Sequence, residues 1–189
     1  MKKIGIYGGT FDPIHHAHLI LARAALEKLA LDEVIFVPAA LSPHKVDATP
    51  TTASVRVEML RAALLGEAQF CLDEIELQRP PPSYAIETIE ELKRRYVDDE
   101  IFYLIGSDNL SRLHTWHRFE ELRRLVQFVV LERGAVAAVS DYPTIQQHLD
   151  ISATEIRNRV ASDRSIRYLV PPAVEEIIRR HRLYQEPTR

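Results

Sequence analysis

The chain is organised around one stretch, Gly8-Gly9-Thr10-Phe11-Asp12-Pro13-Ile14-His15-His16-Ala17-His18. An apolar run typical of a buried strand, Ile4 to Tyr7, precedes it. The residues that follow have helical periodicity, which predicts a helix over about residues 16–29; its apolar positions are Leu19, Ala22, Leu26 and Leu29. A strand, a glycine turn and a helix start together favour phosphate binding, because the first N–H groups of a helix are unpaired and its dipole is positive there.

Two histidines, His15 and His18, stand three residues apart, so they share one face of the first helical turn. The stretch contains no Ser, Cys or Lys that would act as a nucleophile. We therefore predict that the two imidazoles stabilise charge on a transferring phosphoryl group, without a covalent intermediate. The same spacing is compatible with a metal site or with surface histidines, and the pair alone leaves these alternatives open.

Composition sets the broad class of the protein. The chain has 189 residues with 46% hydrophobic and 27% charged side chains, which is ordinary for one globular domain. Its formal net charge of −3 gives no basic footprint for nucleic acid. A single cysteine, Cys71, and an N-terminus that begins with a strand lead us to expect a cytoplasmic protein without a signal peptide. No membrane partner is expected, and a homo-oligomer is left open.

Apolar runs and helical patterns alternate along the chain. Further strands are predicted at 33–38, 70–72, 100–105 and 127–131, and further helices at 52–65, 83–96, 119–125, from 152 onward and 172–182. Continuously apolar strands joined by helices indicate a mostly parallel sheet covered on both faces. We predict a single Rossmann-like α/β domain over residues 1–189. Segment 135–150 is weakly patterned, and no role is predicted for it.

Polar groups follow several of these strands, where ligands bind in open α/β sheets. Lys45 and Asp108 are such groups, although a solvated lysine and a helix N-cap are alternative interpretations. Ser152 with Glu155 predicts a capping box, and Arg157 lies one turn inside that helix, where its planar fork would reach phosphate. Two helix starts with basic side chains suit a polyphosphate ligand.

The first stretch resembles the signature of the nucleotidyltransferase superfamily, Gly-Thr-Phe-Asp-Pro followed by His-x-Gly-His, with Ala17 in place of the usual Gly. This resemblance implies that Ala17 adds a methyl group where the substrate passes close to the backbone. The chain is most similar to the bacterial nicotinate-nucleotide adenylyltransferase family, from Gly8 to Tyr184. The segments that carry this similarity are Pro43-His44-Lys45, Pro82-Ser83-Tyr84, Gly106-Ser107-Asp108, Trp116 and Ile151 to Arg157. Ala85 and His117 stand where that family usually has Thr and Tyr.

This resemblance implies transfer of the adenylyl group of ATP to nicotinate mononucleotide, a step of NAD biosynthesis, with Mg²⁺ arriving on ATP and no protein metal site. It implies that His15 and His18 are catalytic. It implies that ATP is bound by Gly8, Gly9, Thr10, Phe11, His18, Ser152, Thr154 and Arg157. It implies that nicotinate mononucleotide is bound by His44, Lys45, Ser83, Tyr84, Ala85, Gly106, Asp108, Trp116 and His117.

Four other functions compete with this interpretation. Phosphopantetheine adenylyltransferase and the cytidylyltransferases share the first motif but lack the combination of later segments. A class I aminoacyl-tRNA synthetase has related histidine motifs, but 189 residues leave no room for a tRNA-reading domain. A nucleotide sensor without transfer activity is an alternative of a different class, which Ala17 and His117 would favour.

Overall fold

A six-stranded sheet forms the centre of the computed structural model, which describes residues 1–41, 50–134 and 140–185. Every strand pairing is parallel, and the order is β3-β2-β1-β4-β5-β6. The strands are β1 (Lys3–Gly9), β2 (Glu33–Pro38), β3 (Phe70–Leu72), β4 (Glu100–Gly106), β5 (Gln127–Glu132) and β6 (Thr144–Gln146). This is the doubly wound order of Rossmann-like proteins, so the predicted fold class is confirmed.

Within the described residues, six α-helices connect or flank the strands, close to where periodicity predicts them. They are α1 (His16–Lys28), α2 (Ala53–Leu64), α3 (Ala85–Arg95), α4 (Phe119–Leu125), α5 (Ala153–Ala161) and α6 (Pro172–Arg180). Two 3₁₀ helices, Ile75–Gln78 and Ser107–Thr115, were not anticipated. No helix of the described segments is both long and apolar enough to cross a membrane.

The two faces of the sheet carry different helices. Side chains of α1, α2, α5 and α6 pack on one face, and those of α3 and α4 pack on the other. Strand β4 supplies both cores, because Phe102 and Leu104 point to the first face whereas Tyr103 and Ile105 point to the second. Strands β1 and β4 are adjacent, and the helices that follow them, α1 and α4, lie on opposite faces. A crevice therefore opens above their carboxyl ends.

Strand β6 lies in the segment for which the sequence predicted no structure. Its middle residue, Ile145, is 2% exposed and is registered with Leu131 of β5. A three-residue strand with one buried side chain is too short to produce a recognisable alternation. Its position therefore depends on pairing with β5, which local sequence does not encode.

Candidate active site

A cleft with two chambers occupies the crevice above β1 and β4. The first, the α3 chamber, has a volume of about 400 Å³ and is bordered by the start of α3; the second, the α5 chamber, has a volume of about 440 Å³ and is bordered by the starts of α1 and α5. Both volumes fall in the range of small-molecule sites. The chambers share one rim, formed by Gly8, Gly9, Thr10, Gly106, Asp108 and Asn109.

Close packing explains the glycines of this shared rim. A Cβ atom on Gly8 would stand 3.0 Å from the hydroxyl of Tyr103, and one on Gly9 would stand 3.0 Å from the ring of Phe11. A Cβ atom on Gly106 would lie 2.4 Å from the Asp108 carboxylate, a distance that Cβ contacts do not reach. The glycines thus bring backbone against side chains at the point where the two chambers meet.

The loop between β1 and α1 is held by residues from distant parts of the chain. The carboxylate of Asp12, which is 9% exposed, accepts hydrogen bonds from the Thr51 N–H at 2.9 Å and from the Tyr184 hydroxyl. Arg56, buried at the start of α2, donates to the Thr10 carbonyl at 2.8 Å and to the Thr51 carbonyl at 2.9 Å. These bonds fix the backbone of the loop that lines the α5 chamber.

Residue Phe11 in this loop has a φ of 49°, in the left-handed region that non-glycine residues seldom adopt. Its ring meets the His18 ring edge-on, with 5.1 Å between centroids. The fixed loop therefore also places an aromatic wall beside the second histidine.

The predicted histidine pair converges on the α5 chamber. The two rings are stacked with 3.7 Å between centroids, and the His15 N–H donates to Nδ1 of His18 at 3.3 Å. Because Nδ1 of His18 accepts this bond, the neutral form of His18 carries its proton on Nε2. His15 is 1% exposed, and its Nδ1 has no hydrogen-bond partner.

Burial controls the charge of His15. Loss of solvation, followed by the charges of Arg133 and His16, lowers the pKa of His15 to about 3. Since this lies far below neutral pH, His15 is a neutral imidazole in the ligand-free protein. Its imidazole can therefore contribute to the site as a neutral hydrogen-bonding group, and it does not contribute a fixed positive charge.

The start of α1 differs from the prediction in two details. The His16 N–H donates to the Leu169 carbonyl at 3.0 Å, so this helix start has fewer unpaired N–H groups than the sequence indicated. Ala17 was expected to place its methyl group close to the substrate, but its side chain is fully buried. The departure from the family's Gly therefore changes packing inside the protein.

The start of α5 supplies the other end of the α5 chamber, with Ser152, Thr154 and Arg157 in its wall. Ser152 is the N-cap, and its hydroxyl accepts the Glu155 N–H at 3.1 Å. Arg157 donates from one guanidinium nitrogen to the Asp12 carbonyl at 2.8 Å and from the other to Thr154 Oγ1 at 3.2 Å. The arginine is therefore oriented before any ligand binds.

The predicted capping box is only half formed. The carboxylate of Glu155 lies 3.7 Å from Arg159 and 3.9 Å from Arg164, so it faces these arginines. Ion pairing with two nearby cations competes with the bond that would complete the box.

The α3 chamber contains the residues predicted for the second ligand: Ser83, Tyr84, Ala85, Gly106, Asp108, Trp116 and His117. The rings of Tyr84 and His117 lie 4.5 Å apart at a 37° tilt, and Trp116 meets Tyr103 edge-on at 6.0 Å. Helix α3 begins after Tyr84 without a side-chain cap. Ala85, the first residue of the helix, is in the chamber wall, and the Glu87 N–H donates to the Tyr84 carbonyl at 3.2 Å. Among the described residues, the N–H groups of Ala85 and Ile86 therefore have no side-chain cap.

Ser83 lies in the wall of the α3 chamber, but its polar groups are used inside the protein. Its N–H donates to the Leu41 carbonyl at 3.1 Å, and its hydroxyl accepts the Ala40 N–H at 3.0 Å. The hydroxyl also opposes the rise in the pKa of Glu76 that burial causes. These bonds join the end of β2 to the start of α3 and fix the position of the uncapped turn.

Several residues of the cleft were not predicted. They are Asp12, Thr51, Glu76, Tyr103, Asn109, Arg133 and Tyr184. Arg133 directly follows β5 and donates to the Ile151 carbonyl at 2.9 Å, so the rule that ligands bind beyond strand ends would have indicated it. Tyr184 is 172 residues from its partner Asp12 and has no comparable local signal.

Two predictions remain: the binding role of His44 and Lys45, and the expectation that the protein has no metal site of its own. His44 and Lys45 lie outside the described residues. Within the described segments, no group of three or more His, Cys, Asp or Glu side chains is placed to hold a metal ion.

Sequence and structure comparisons agree with this geometry. The cytidylyltransferase-like family model matches residues 6–159, so the chain is a cytidylyltransferase-like protein. A probable nicotinate-nucleotide adenylyltransferase of Exiguobacterium sibiricum is 46% identical, with 96% of this chain and 98% of the relative covered. The nicotinate-nucleotide adenylyltransferase of Bacillus subtilis is 38% identical, with 98% of this chain and 100% of the relative covered. The chain therefore belongs to the nicotinate-nucleotide adenylyltransferase family.

A solved structure extends the likeness of the fold. Plasmodium falciparum nicotinic acid mononucleotide adenylyltransferase complexed with NaAD superimposes with a TM-score of 0.82, at 21% identity, with 97% of this chain and 98% of that chain covered. At this identity the comparison establishes the fold. Together with the bacterial relatives, it confirms the resemblance that the motifs indicated.

Proposed function

We propose that the protein transfers the adenylyl group of ATP to nicotinate mononucleotide, giving nicotinate adenine dinucleotide and pyrophosphate in NAD biosynthesis. Family membership supports this reaction, because the bacterial relatives carry that name. The observation that carries the proposal in the structure is the shared rim of the two chambers. A nucleotide in each chamber would bring its phosphate to the same place, which is what transfer between two nucleotides requires.

ATP occupies the α5 chamber in this proposal. Arg157 and the hydroxyls of Ser152 and Thr154 bind its terminal phosphates, since the guanidinium fork and the helix start favour anions. The backbone of Gly8 to Phe11 approaches the nucleotide closely because glycine leaves the space open. His18 donates from Nε2 to an oxygen of the α-phosphate.

Nicotinate mononucleotide occupies the α3 chamber. Its pyridine ring stacks on Trp116, and its carboxylate binds the uncapped N–H groups at the start of α3. Asp108 and Gly106, at the rim, contact the ribose. His44 and Lys45, which we propose for the phosphate of this nucleotide, complete the binding set.

The transfer itself is a single in-line displacement. A phosphate oxygen of nicotinate mononucleotide attacks the α-phosphorus of ATP, the new O–P bond forms, and the bond to pyrophosphate breaks. His15 and His18 stabilise charge on the transferring group, and positioning supplies the remainder of the rate. No side chain becomes covalently attached.

Mg²⁺ enters this proposal as a companion of ATP. It binds phosphate oxygens and water with few protein ligands, and the donors in the α5 chamber suit this arrangement because they are cations and hydroxyls. The ion neutralises phosphate charge when it is bound. The enzyme is proposed to work in the cytoplasm, where a lone cysteine such as Cys71 stays reduced.

The test is pyrophosphate release from ATP and Mg²⁺ with three acceptors in parallel: nicotinate mononucleotide, nicotinamide mononucleotide and phosphopantetheine. We expect release with the nicotinate acceptor at far higher kcat/KM than with the other two. Equal use of both pyridines would keep the chemistry and refute the carboxylate site. ATP binding without release for any acceptor would replace the proposal with a nucleotide sensor.

A further inference from the structure

A buried carboxyl group lies in the wall of the α3 chamber. Glu76 belongs to the 3₁₀ helix before α3, is 6% exposed, and contributes to the chamber lining. The mechanism described above does not use it. A buried carboxyl group in the chamber proposed for the carboxylate of a pyridine ring therefore requires its own explanation.

A hydrogen bond joins Glu76 to the uncapped helix. Its Oε1 accepts the hydroxyl of Thr88 at 2.7 Å, and the hydroxyl of Ser83, which lines the same chamber, opposes the rise in the pKa of Glu76 that burial causes. The Thr88 hydroxyl in turn accepts from Arg79 at 2.5 Å, and of its two possible acceptors the Glu76 carboxylate at 2.7 Å is closer than the Tyr84 carbonyl at 3.4 Å. Glu76 is thereby held directly beside the first turn of α3.

The titratable and hydrogen-bonding groups around Glu76 come from its own segment, from α3 and from β4. Burial raises the pKa of Glu76, opposed by the hydroxyls of Thr88 and Ser83 and by the charge of Arg79, while Glu87 adds to the rise. Tyr103 of β4 also faces Glu76, and burial raises the pKa of Tyr103 far above neutral pH, so its hydroxyl stays protonated. A further negative charge brought into the chamber would act on the same carboxyl group.

The pyridine carboxylate would be such a charge. Ser83 and Thr88, whose hydroxyls oppose the rise in the pKa of Glu76, flank Ala85 and Ile86, whose N–H groups begin the helix. Glu76 and Ala85 both line the α3 chamber of about 400 Å³, so a carboxylate on the Ala85 N–H would stand roughly 7 Å from the Glu76 carboxyl group. At an effective dielectric constant of about 20, two unit charges at this separation change a proton-binding constant by roughly 50-fold.

We propose that Glu76 takes up one proton from solvent when nicotinate mononucleotide binds, which makes Glu76 a specificity-determining residue of the α3 chamber. The inference rests on the proposed function, because it assumes this acceptor. The neutral amide of nicotinamide mononucleotide brings no charge, so its binding takes up no such proton. Affinity for nicotinate then falls as pH rises above the pKa of free Glu76, by up to about tenfold per pH unit, while affinity for nicotinamide does not.

Isothermal titration calorimetry measures this proton directly. Each mononucleotide is titrated into the full-length protein in two buffers of different ionisation enthalpy, at several pH values between about 6 and 8. The variant Glu76→Gln keeps the shape of the side chain, and Glu91→Gln removes a carboxylate of α3 that pairs with Arg95, as a matched control. We expect greater proton uptake with nicotinate than with nicotinamide mononucleotide in the wild type and in Glu91→Gln, and no difference in Glu76→Gln.

Equal proton uptake with both mononucleotides in the wild type would overturn the inference, and this comparison does not depend on any variant folding. A difference that persists in folded Glu76→Gln would overturn it as well. Wild-type protein that neither binds nicotinate mononucleotide nor releases pyrophosphate would instead refute the proposed function. The pH profile of kcat/KM provides an independent readout, since its decline with rising pH should occur for nicotinate alone and disappear in Glu76→Gln.

Discussion

Two helices begin at the same cleft, and their first turns are finished in different ways. At α5, Ser152 caps the helix through its hydroxyl, and Arg157 is already oriented by the Asp12 carbonyl and Thr154. At α3, Tyr84 provides no capping bond, and the buried side chains of Glu76 and Thr88 bond to each other beside the first turn. The first helix start presents side-chain donors suited to a polyphosphate, whereas the second presents bare backbone N–H groups suited to a single carboxylate.

If ATP and nicotinate mononucleotide bind as proposed, this contrast gives the two chambers different requirements for substrate specificity. A flexible, multiply charged ligand is bound by many donors, so the loss of one is tolerated in part. A planar acid is distinguished from its amide only by a few N–H groups and the charge around them. Substitutions at the two helix starts should therefore affect different substrates.

The largest effect is expected at His18, which lines the α5 chamber. Replacement by alanine removes the Nε2 donor, and loss of one preorganised donor lowers turnover by about 10²–10³-fold. Steady-state kinetics with both substrates saturating would measure it, with thermal unfolding to confirm a folded variant. His16→Ala is the matched control, because His16 lies in the same helical turn but is not among the described residues that line the chamber, and it should keep wild-type turnover. A His18→Ala enzyme with wild-type turnover would contradict the assigned role.

At the capped helix, Arg157→Ala should raise the KM for ATP by roughly 10–100-fold, because a hydrogen bond to a charged group contributes about 1.5–3 kcal/mol. The KM for the pyridine nucleotide should change little. Arg159→Ala in the same helix is the control, since Arg159 donates to the Ser165 carbonyl and pairs with Glu155. Equal loss of affinity for both substrates would mean that Arg157 acts only through the Asp12 loop.

In the α3 chamber, Trp116→Ala should raise the KM for nicotinate mononucleotide roughly tenfold, because stacking on an aromatic ring contributes about 1–3 kcal/mol. Trp116→Phe keeps an aromatic face and should retain most of the affinity. The KM for ATP serves as the internal control. An unchanged pyridine KM in a folded Trp116→Ala variant would remove the indole from the binding site.

The smallest expected effect tests the contrast directly, by giving α3 the cap that it lacks. Tyr84→Ser should be about 1 kcal/mol more stable than Tyr84→Ala, since a serine N-cap satisfies a first-turn N–H. The same bond competes with the substrate carboxylate, so the KM for nicotinate mononucleotide should be roughly fivefold higher in the serine variant than in the alanine variant. Both variants lack the ring that contacts His117, and identical KM values would show that these N–H groups do not bind the carboxylate.

Local sequence sufficed for the parts of the site that are built locally. The strand, turn and histidine pair from Ile4 to His18 lie within one βα unit, and the Ser152 cap depends on residues three positions apart. Each was predicted because its physical cause is contained in a short window. The family likeness then assigned Trp116 and Tyr84 to the same ligand, and both residues line the α3 chamber.

Long-range contacts were beyond such reasoning. Arg56 is 1% exposed inside an amphipathic helix, where periodicity alone predicts a solvent-facing charge. It is buried because the carbonyls of Thr10 and Thr51 accept its donors. Glu76 and Tyr184 were missed for the same reason, since their roles depend on partners that only the tertiary fold brings together.

The shared rim of Gly8, Gly9, Thr10, Gly106, Asp108 and Asn109 has a consequence for inhibitor design. Two fragments, one acidic ring for the α3 chamber and one polyanion for the α5 chamber, would cross the rim through a linker of only a few atoms. Once one fragment is seated, a short linker holds the other at millimolar effective concentration. A bisubstrate compound of this kind would bind far more tightly than either fragment, and its potency would measure how well the two chambers are aligned.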